Sequence, residues 1–279
     1  MAALSKHLHL LLLVLMALFA VIEAAPKKAT STPKPVCRSY TETFQKAKII
    51  SEDDYNGKQS VDWIDLSDDS KTWKQTSQGL QMNLLKPSQY VPLKGYNKYV
   101  GNGATLNSSH LMQYGSVSAF IKVASVPGSV TAFITMSNGG DEIDVEWVGG
   151  DSDHFQSNYF YHGIPLYGVN GGNHKVSGAS VSAAFHTYTI NWEPEFITWS
   201  VDGVVMRNKT RASTLSSGTY HFPTEATRIQ IGIWDGSSSP GTASWANGPI
   251  NWNKAGSVIS AYIKSIKIEC NPLYNTVIN

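Results

Sequence analysis

Apolar and polar residues alternate with a period of two through most of this chain, in short runs at 116–123, 130–136, 143–148, 157–162, 186–192, 197–201, 204–207, 229–234 and 261–268. Successive side chains of a strand point to opposite faces, so each run reads as a strand with one buried face. Asp202-Gly203 supplies the positive φ angles of a tight hairpin, and Gly139-Gly140, Gly149-Gly150 and Gly171-Gly172 mark further turns. No window carries the spacing of a long amphipathic helix, and no segment repeats. The pattern predicts an all-β domain, an antiparallel β-sandwich or jelly roll whose two sheets stack on one apolar layer.

The first residues are of a different kind. Lys6, His7 and His9 precede a wholly apolar run at 10–22, and the small residues Ala24 and Ala25 follow. A bilayer span needs about 20 apolar residues, so this run is a secretory signal, residues 1–24, rather than a retained anchor. Cleavage after Ala24 keeps Pro26 away from the scissile bond. Residues 25–36 are rich in Pro, Lys, Thr and Ser and read as a solvated linker, which leaves 37–279 as one domain. The net charge of +1 and the absence of a basic run exclude a nucleic-acid binder and favour an uncharged ligand. Two cysteines cannot build a disulfide framework or a four-thiolate metal site. The histidines lack metal-ligand spacing, and neither a metal nor another cofactor is expected.

One strand carries the chemistry: Asp141-Glu-Ile-Asp-Val-Glu-Trp147. Alternation puts Glu142, Asp144 and Glu146 on one face and Ile143, Val145 and Trp147 on the other, toward the core. Three carboxylates in a row repel one another, an arrangement that stability alone does not favour, and the repulsion is expected to raise at least one pKa. A raised acid beside an ionised carboxylate is the scheme of glycoside hydrolysis. The alternatives are a solvated acidic face and a calcium site, although three carboxylates on a flat strand do not wrap a cation with six or more oxygens. The Cα atoms of Glu142 and Glu146 stand roughly 13 Å apart on an extended strand, so the side chains must lean together; spacing alone does not choose a retaining or an inverting outcome.

The acidic run resembles the signature of glycoside hydrolase family 16, the concanavalin-like β-jelly-roll enzymes of β-glucans, xyloglucan and galactans. The resemblance extends to Val126-Pro-Gly-Ser-Val-Thr-Ala-Phe133, Gln156-Ser-Asn-Tyr-Phe-Tyr-His-Gly163, Phe185-His-Thr-Tyr-Thr-Ile-Asn-Trp192 and Trp199-Ser-Val-Asp-Gly203. Within the family, Val148-Gly-Gly-Asp151, Ile233-Trp-Asp-Gly236 and Gly241-Thr-Ala-Ser-Trp-Ala-Asn-Gly-Pro-Ile-Asn-Trp252 are similar to the fungal Crh-type transglycosylases, which join chitin to β-glucan. Carried over, the resemblance implies that Glu142 is the nucleophile, Glu146 the general acid and base, and Asp144 a helper, in a reaction that retains configuration. It also implies sugar contacts at Asn158, Trp234 and Trp245, and alternation places Gln156 on the same face as Asn158. The runner-up reading is a secreted endo-β-glucanase with water as acceptor, and a third is a non-catalytic lectin-like module.

Secretion sets the remaining expectations. Trp147, Trp192 and Trp199 are expected in the core, with Trp63, Trp73 and Trp252 open. Asn107-Ser-Ser and Asn208-Lys-Thr are N-glycosylation sequons, expected on exposed loops. Cys37 and Cys270 pair if the terminal strands lie side by side, closing a loop worth at most roughly 5 kcal/mol in the chain-entropy picture. No lipid-anchor signal follows Cys270-Asn-Pro-Leu-Tyr, and no Cys-rich chitin-binding module is found, so the expected product is an unanchored extracellular or cell-wall protein. A monomer acting on polysaccharide is expected.

Overall fold

Fifteen strands form the main paths of two sheets: β1 (Ile49–Ser51), β2 (Trp63–Asp65), β3 (Trp73–Thr76), β4 (Gly79–Leu85), β5 (Thr105–Ser108), β6 (Gly115–Lys122), β7 (Ser129–Met136), β8 (Glu142–Val148), β9 (His154–Phe160), β10 (Gly172–Lys175), β11 (His186–Glu193), β12 (Phe196–Val201), β13 (Val204–Thr210), β14 (Arg228–Asp235) and β15 (Val258–Cys270). The computed structural model describes residues 33–67, 69–166 and 169–278. The expected signal and most of the linker lie outside the described residues. The first sheet runs β10-β9-β8-β7-β14-β5-β2-β1, antiparallel except at β1–β2, and the second runs β13-β12-β11-β6-β15-β4-β3. Helix is confined, among the described residues, to single turns, α1 (Pro240–Trp245) and α2 (Trp252–Ala255), and to short 3-10 segments. The all-β sandwich expected from the alternation is therefore the observed architecture.

The apolar face of β8 meets the second sheet. Ile143, Val145 and Trp147 are 0–1% exposed, and Trp147 packs edge-on against Tyr188 of β11 with ring centroids 4.5 Å apart. Phe133, Ile229, Ile231 and Ile233 extend this layer along β7 and β14, facing Ile190, Trp192, Ile197 and Trp199. Each fully buried large side chain contributes about 1.5–3 kcal/mol, so the tryptophans are the core's largest single entries. Trp63 and Trp252 join the core, and Trp73 packs on its edge, its indole donating to Asp65 Oδ2 at 2.6 Å.

Turn chemistry follows the sequence with exceptions. Asp202 and Gly203 take φ of 49° and 82°, the paired positive angles of the predicted hairpin. Gly171-Gly172 is not such a turn, because Gly172 opens β10 and pairs with Ser157. The run read as 157–162 starts earlier and ends at Phe160; His162 lies beyond it with φ 51°. In β15 the register slips between Phe120 and Ile121 of its partner, so the buried set passes from Ile259, Ala261 and Ile263 to Ile266 and Ile268. Cys37 and Cys270 form a disulfide, Cα atoms 6.1 Å apart, with Val36–Arg38 paired to Thr276–Ile278 and Tyr40–Glu42 paired along β15. The terminal strands do lie side by side.

Candidate active site

β8 is held at both ends and from below. Asp141, fully buried just before it, accepts three main-chain N–H groups: Oδ1 from His162 at 2.9 Å, and Oδ2 from Thr224 at 2.6 Å and Glu225 at 3.0 Å. Its own N–H donates to Ser137 Oγ at 2.8 Å. Three loops are thus tied to the residue preceding Glu142. Beneath the strand, the Trp199 indole reaches across from β12 and donates to the Asp144 main-chain oxygen at 2.9 Å. At the far end Gly149 passes so close to Val126 that a Cβ would sit 1.8 Å from its carbonyl oxygen, so only glycine fits there.

The opposite face gathers the three carboxylates. Glu142, Asp144 and Glu146 stand opposite Met136, Ile134 and Ala132 of β7 on one side and Phe160, Asn158 and Gln156 of β9 on the other. This face is not solvated as the sequence implied: Asp144 is 2% exposed, and Glu142 and Glu146 are half-buried. All three pKa values rise, and in each the largest cause is loss of solvent rather than mutual repulsion. Glu146 is pushed up to about 7 by burial and by the Glu142 charge, against a hydrogen bond from the Trp234 side chain. Glu142 rises through burial, opposed by a hydrogen bond from Asp144. Asp144 rises furthest, through burial and the charges on either side. Asp144 Oδ1 and the facing Asn158 Oδ1 are both buried without a donor among the described residues, which further disfavours negative charge on Asp144. The resulting arrangement is three carboxyl groups on one desolvated strand face, each held above its ordinary range, with Glu146 pushed up to about 7.

Of the four residues expected to contact sugar, the structure brings Gln156, Trp234 and Trp245 together at the Glu146 end, while Asn158 stands opposite Asp144. The Trp245 indole, from α1, donates to Gln156 Oε1 at 2.9 Å, and its ring stacks on Trp234 with centroids 5.7 Å apart and planes 21° from parallel. Both rings are half-buried, so one face of each covers the other and the pair forms a ledge beside Glu146. Two residues missed in the sequence act through β8. Asp141 has the parity of the core-facing set, and a carboxylate at that parity signals a buried acceptor; Trp199 was assigned to the core without its polar bond. The sequons are not on loops: Asn107 lies within β5, and Asn208 on the exposed strand β13. Among the described residues, no group of three or more His, Cys, Asp or Glu side chains is placed to hold a metal ion.

A sandwich with paired, pKa-shifted carboxylates on one strand face defines a class of glycan-acting proteins. Residues 58–254 match the family described as Glycosyl hydrolases family 16, and the chain belongs to that family. Crh-like protein 2 of Aspergillus fumigatus is 34% identical over 230 residues, 80% of this chain and 48% of that protein. Congo red hypersensitive protein 2 of Saccharomyces cerevisiae is 36% identical over 174 residues, 61% of this chain and 37% of that protein. The chain thus spans about half the length, or less, of these curated relatives. Among solved structures, a Crh5 transglycosylase in complex with NAG superposes with a TM-score of 0.67 at 27% identity, covering 86% of this chain and 87% of that one. A prokaryotic lichenase at 20% identity, with a TM-score of 0.64, shares the fold.

Proposed function

We propose that this chain is a retaining transglycosylase of cell-wall polysaccharide, with Glu142 as nucleophile, Glu146 as acid and base, and Asp144 as the helper that holds a proton toward Glu142. The observation that carries the reading is the alignment of Glu142, Asp144 and Glu146 on one desolvated strand face, with the Trp234–Trp245 pair beside Glu146. Glu142 attacks the anomeric carbon of a β-linked donor such as chitin or β-glucan, while Glu146 gives its proton to the departing glycosidic oxygen, leaving a covalent glycosyl-enzyme. An acceptor hydroxyl then loses its proton to Glu146 as its oxygen displaces Glu142, which restores both groups. Asp144 shifts its proton toward Glu142 when that carboxylate is free and charged, and this tunes its basicity.

Similarity to Crh-type proteins and to a Crh5 transglycosylase supports transfer to sugar over transfer to water. Gln156, Asn158 and the Trp234–Trp245 ledge bind the polysaccharide beside the carboxylates. The leader of residues 1–24 directs the chain out of the cell, where the Cys37–Cys270 bond is stable. The test is incubation with a chitin or β-glucan oligosaccharide donor and a fluorescent oligosaccharide acceptor, followed by product sizing. Labelled products longer than the acceptor are expected; shortened donor alone indicates a hydrolase, and binding without turnover a lectin. Glu142→Gln is expected to abolish both turnover and covalent trapping by a mechanism-based glycosyl fluoride, and substantial residual turnover would remove Glu142 from its role.

A further inference from the structure

Asn107 has been placed so far only by its sequon, and its position in the sheet gives it another meaning. Its neighbour Leu106 is fully buried in the core, so Asn107 points from β5 to the carboxylate face. The register runs straight across the sheet: Asn107 stands opposite Gln230 of β14, Gln230 opposite Ile134 of β7, and Ile134 opposite Asp144. Three strand spacings separate Asn107 from Asp144, roughly 14 Å. Gln230 Nε2 donates to Asn107 Oδ1 at 2.9 Å, which orients both amides. Asn107 Nδ2 and Gln230 Oε1 make no other hydrogen bond among the described residues and are not sealed from solvent. One uncharged donor and one uncharged acceptor are therefore held side by side on the carboxylate face of the sheet.

We propose that the Asn107–Gln230 amide pair is a sugar-binding subsite of this face, remote from the reacting carboxylates. It rests on the function proposed above and goes beyond it in naming the residues and the ligand chemistry. The ligand is an uncharged sugar residue more than one ring away from the scissile bond. Its substituents must accept from Nδ2 and donate to Oε1, which neighbouring hydroxyls or an acetamido group both do. The same placement argues against a glycan at Asn107: N-glycosylation uses Nδ2, and Asn107 is flanked in the sheet by β2 and β14, so an attached glycan would lie across the carboxylate face.

The test runs two ladders of increasing length, N-acetylglucosamine oligosaccharides and β-glucan oligosaccharides, through the wild type, Asn107→Ala, Gln230→Leu and Ser109→Ala. Ser109→Ala destroys the sequon while sparing the amide, and should match the wild type throughout. In the two amide variants, kcat/KM for the long members should fall about three- to tenfold, the worth of one or two hydrogen bonds. The shortest cleaved member should be unaffected. The ladder that shows this length dependence identifies the substituent. Equal loss at every length, no loss at any length, or a Ser109→Ala defect matching that of Asn107→Ala overturns the subsite. Peptide mapping of active protein from a secreting eukaryotic host should find Asn107 unmodified, and a glycan there overturns the proposal as well. If the wild type turns over neither ladder, the proposed activity has failed. Calorimetric titration of the longest oligosaccharides then decides the subsite alone: weaker binding to Asn107→Ala than to wild type supports it, and equal or absent binding overturns it.

Discussion

At the scale of single residues, the chemistry depends on how dry the outer face of β8 is. The alternation identified Glu142, Asp144 and Glu146 as one set, because parity is a local property. It attributed their perturbation to repulsion, whereas burial is the larger cause, because the groups that cover them come from β7, β9 and β14 and leave no trace in the local pattern. A pH–rate profile follows. In the proposed mechanism Glu146 is protonated for the first step, so kcat/KM should fall as pH rises through about 7. The proposed nucleophile Glu142 acts in its ionised form, so the acid limb should lie above the ordinary glutamate range. A flat profile across neutrality would assign the acid elsewhere. The same burial costs stability. A folded-state pKa raised above the unfolded value means that the folded chain binds more protons between the two. The Glu146 contribution therefore grows as pH falls from about 7 toward 4.5, and is lost as pH rises back through 7. Glu146→Gln removes the penalty and should raise Tm by several degrees at pH 8 and by little at pH 4.5, while abolishing turnover; scanning calorimetry at both pH values checks it.

At the scale of elements, β8 is precise because other elements fix its backbone. Trp199→Phe keeps an aromatic ring in the core, removes the N–H that bonds the Asp144 main-chain oxygen and leaves the rest of the indole's volume unfilled. It should cost about 1–3 kcal/mol of stability, and lower kcat more than it raises KM, because the proposed catalytic side chains move while the proposed sugar contacts on other strands do not. A KM effect without a kcat effect would show that the bond only holds the fold. Most strands from 116 onward were legible because they span several alternations with one dry face; β10, four residues long and opening on Gly172, was hidden behind the expected Gly171-Gly172 turn. The earlier strands were not. β1 and β2 are three residues long, too short to display a period, and β4 buries residues on both faces, so its Gly-Leu-Gln-Met-Asn-Leu-Leu does not alternate. That gap hid the amide pair: without β5 in view, Asn107 was a sequon in an unassigned stretch.

At the scale of the molecule, the carboxylate face and the covalent closure belong to different sheets. The carboxylates lie on the first sheet, while Cys270 ends β15 in the second and bonds to Cys37 across a sequence separation of 233. So long a loop confers up to roughly 5 kcal/mol by restricting the unfolded chain. At about 2–4 °C per kcal/mol for a domain of this size, reduction should lower Tm by roughly 10–20 °C. The folded state need not change, since Val36–Arg38 stays paired with Thr276–Ile278, and Tyr40–Glu42 with β15, by main-chain hydrogen bonds that do not involve sulfur. The double variant Cys37→Ser, Cys270→Ser should therefore keep the wild-type rate of transfer at 25 °C while melting well below the oxidised protein. The comparison separates the two sheets: an unchanged Tm would mean that native strain cancels the loop entropy, and a lost rate in a still-folded variant would mean that the second sheet shapes the carboxylate face of the first.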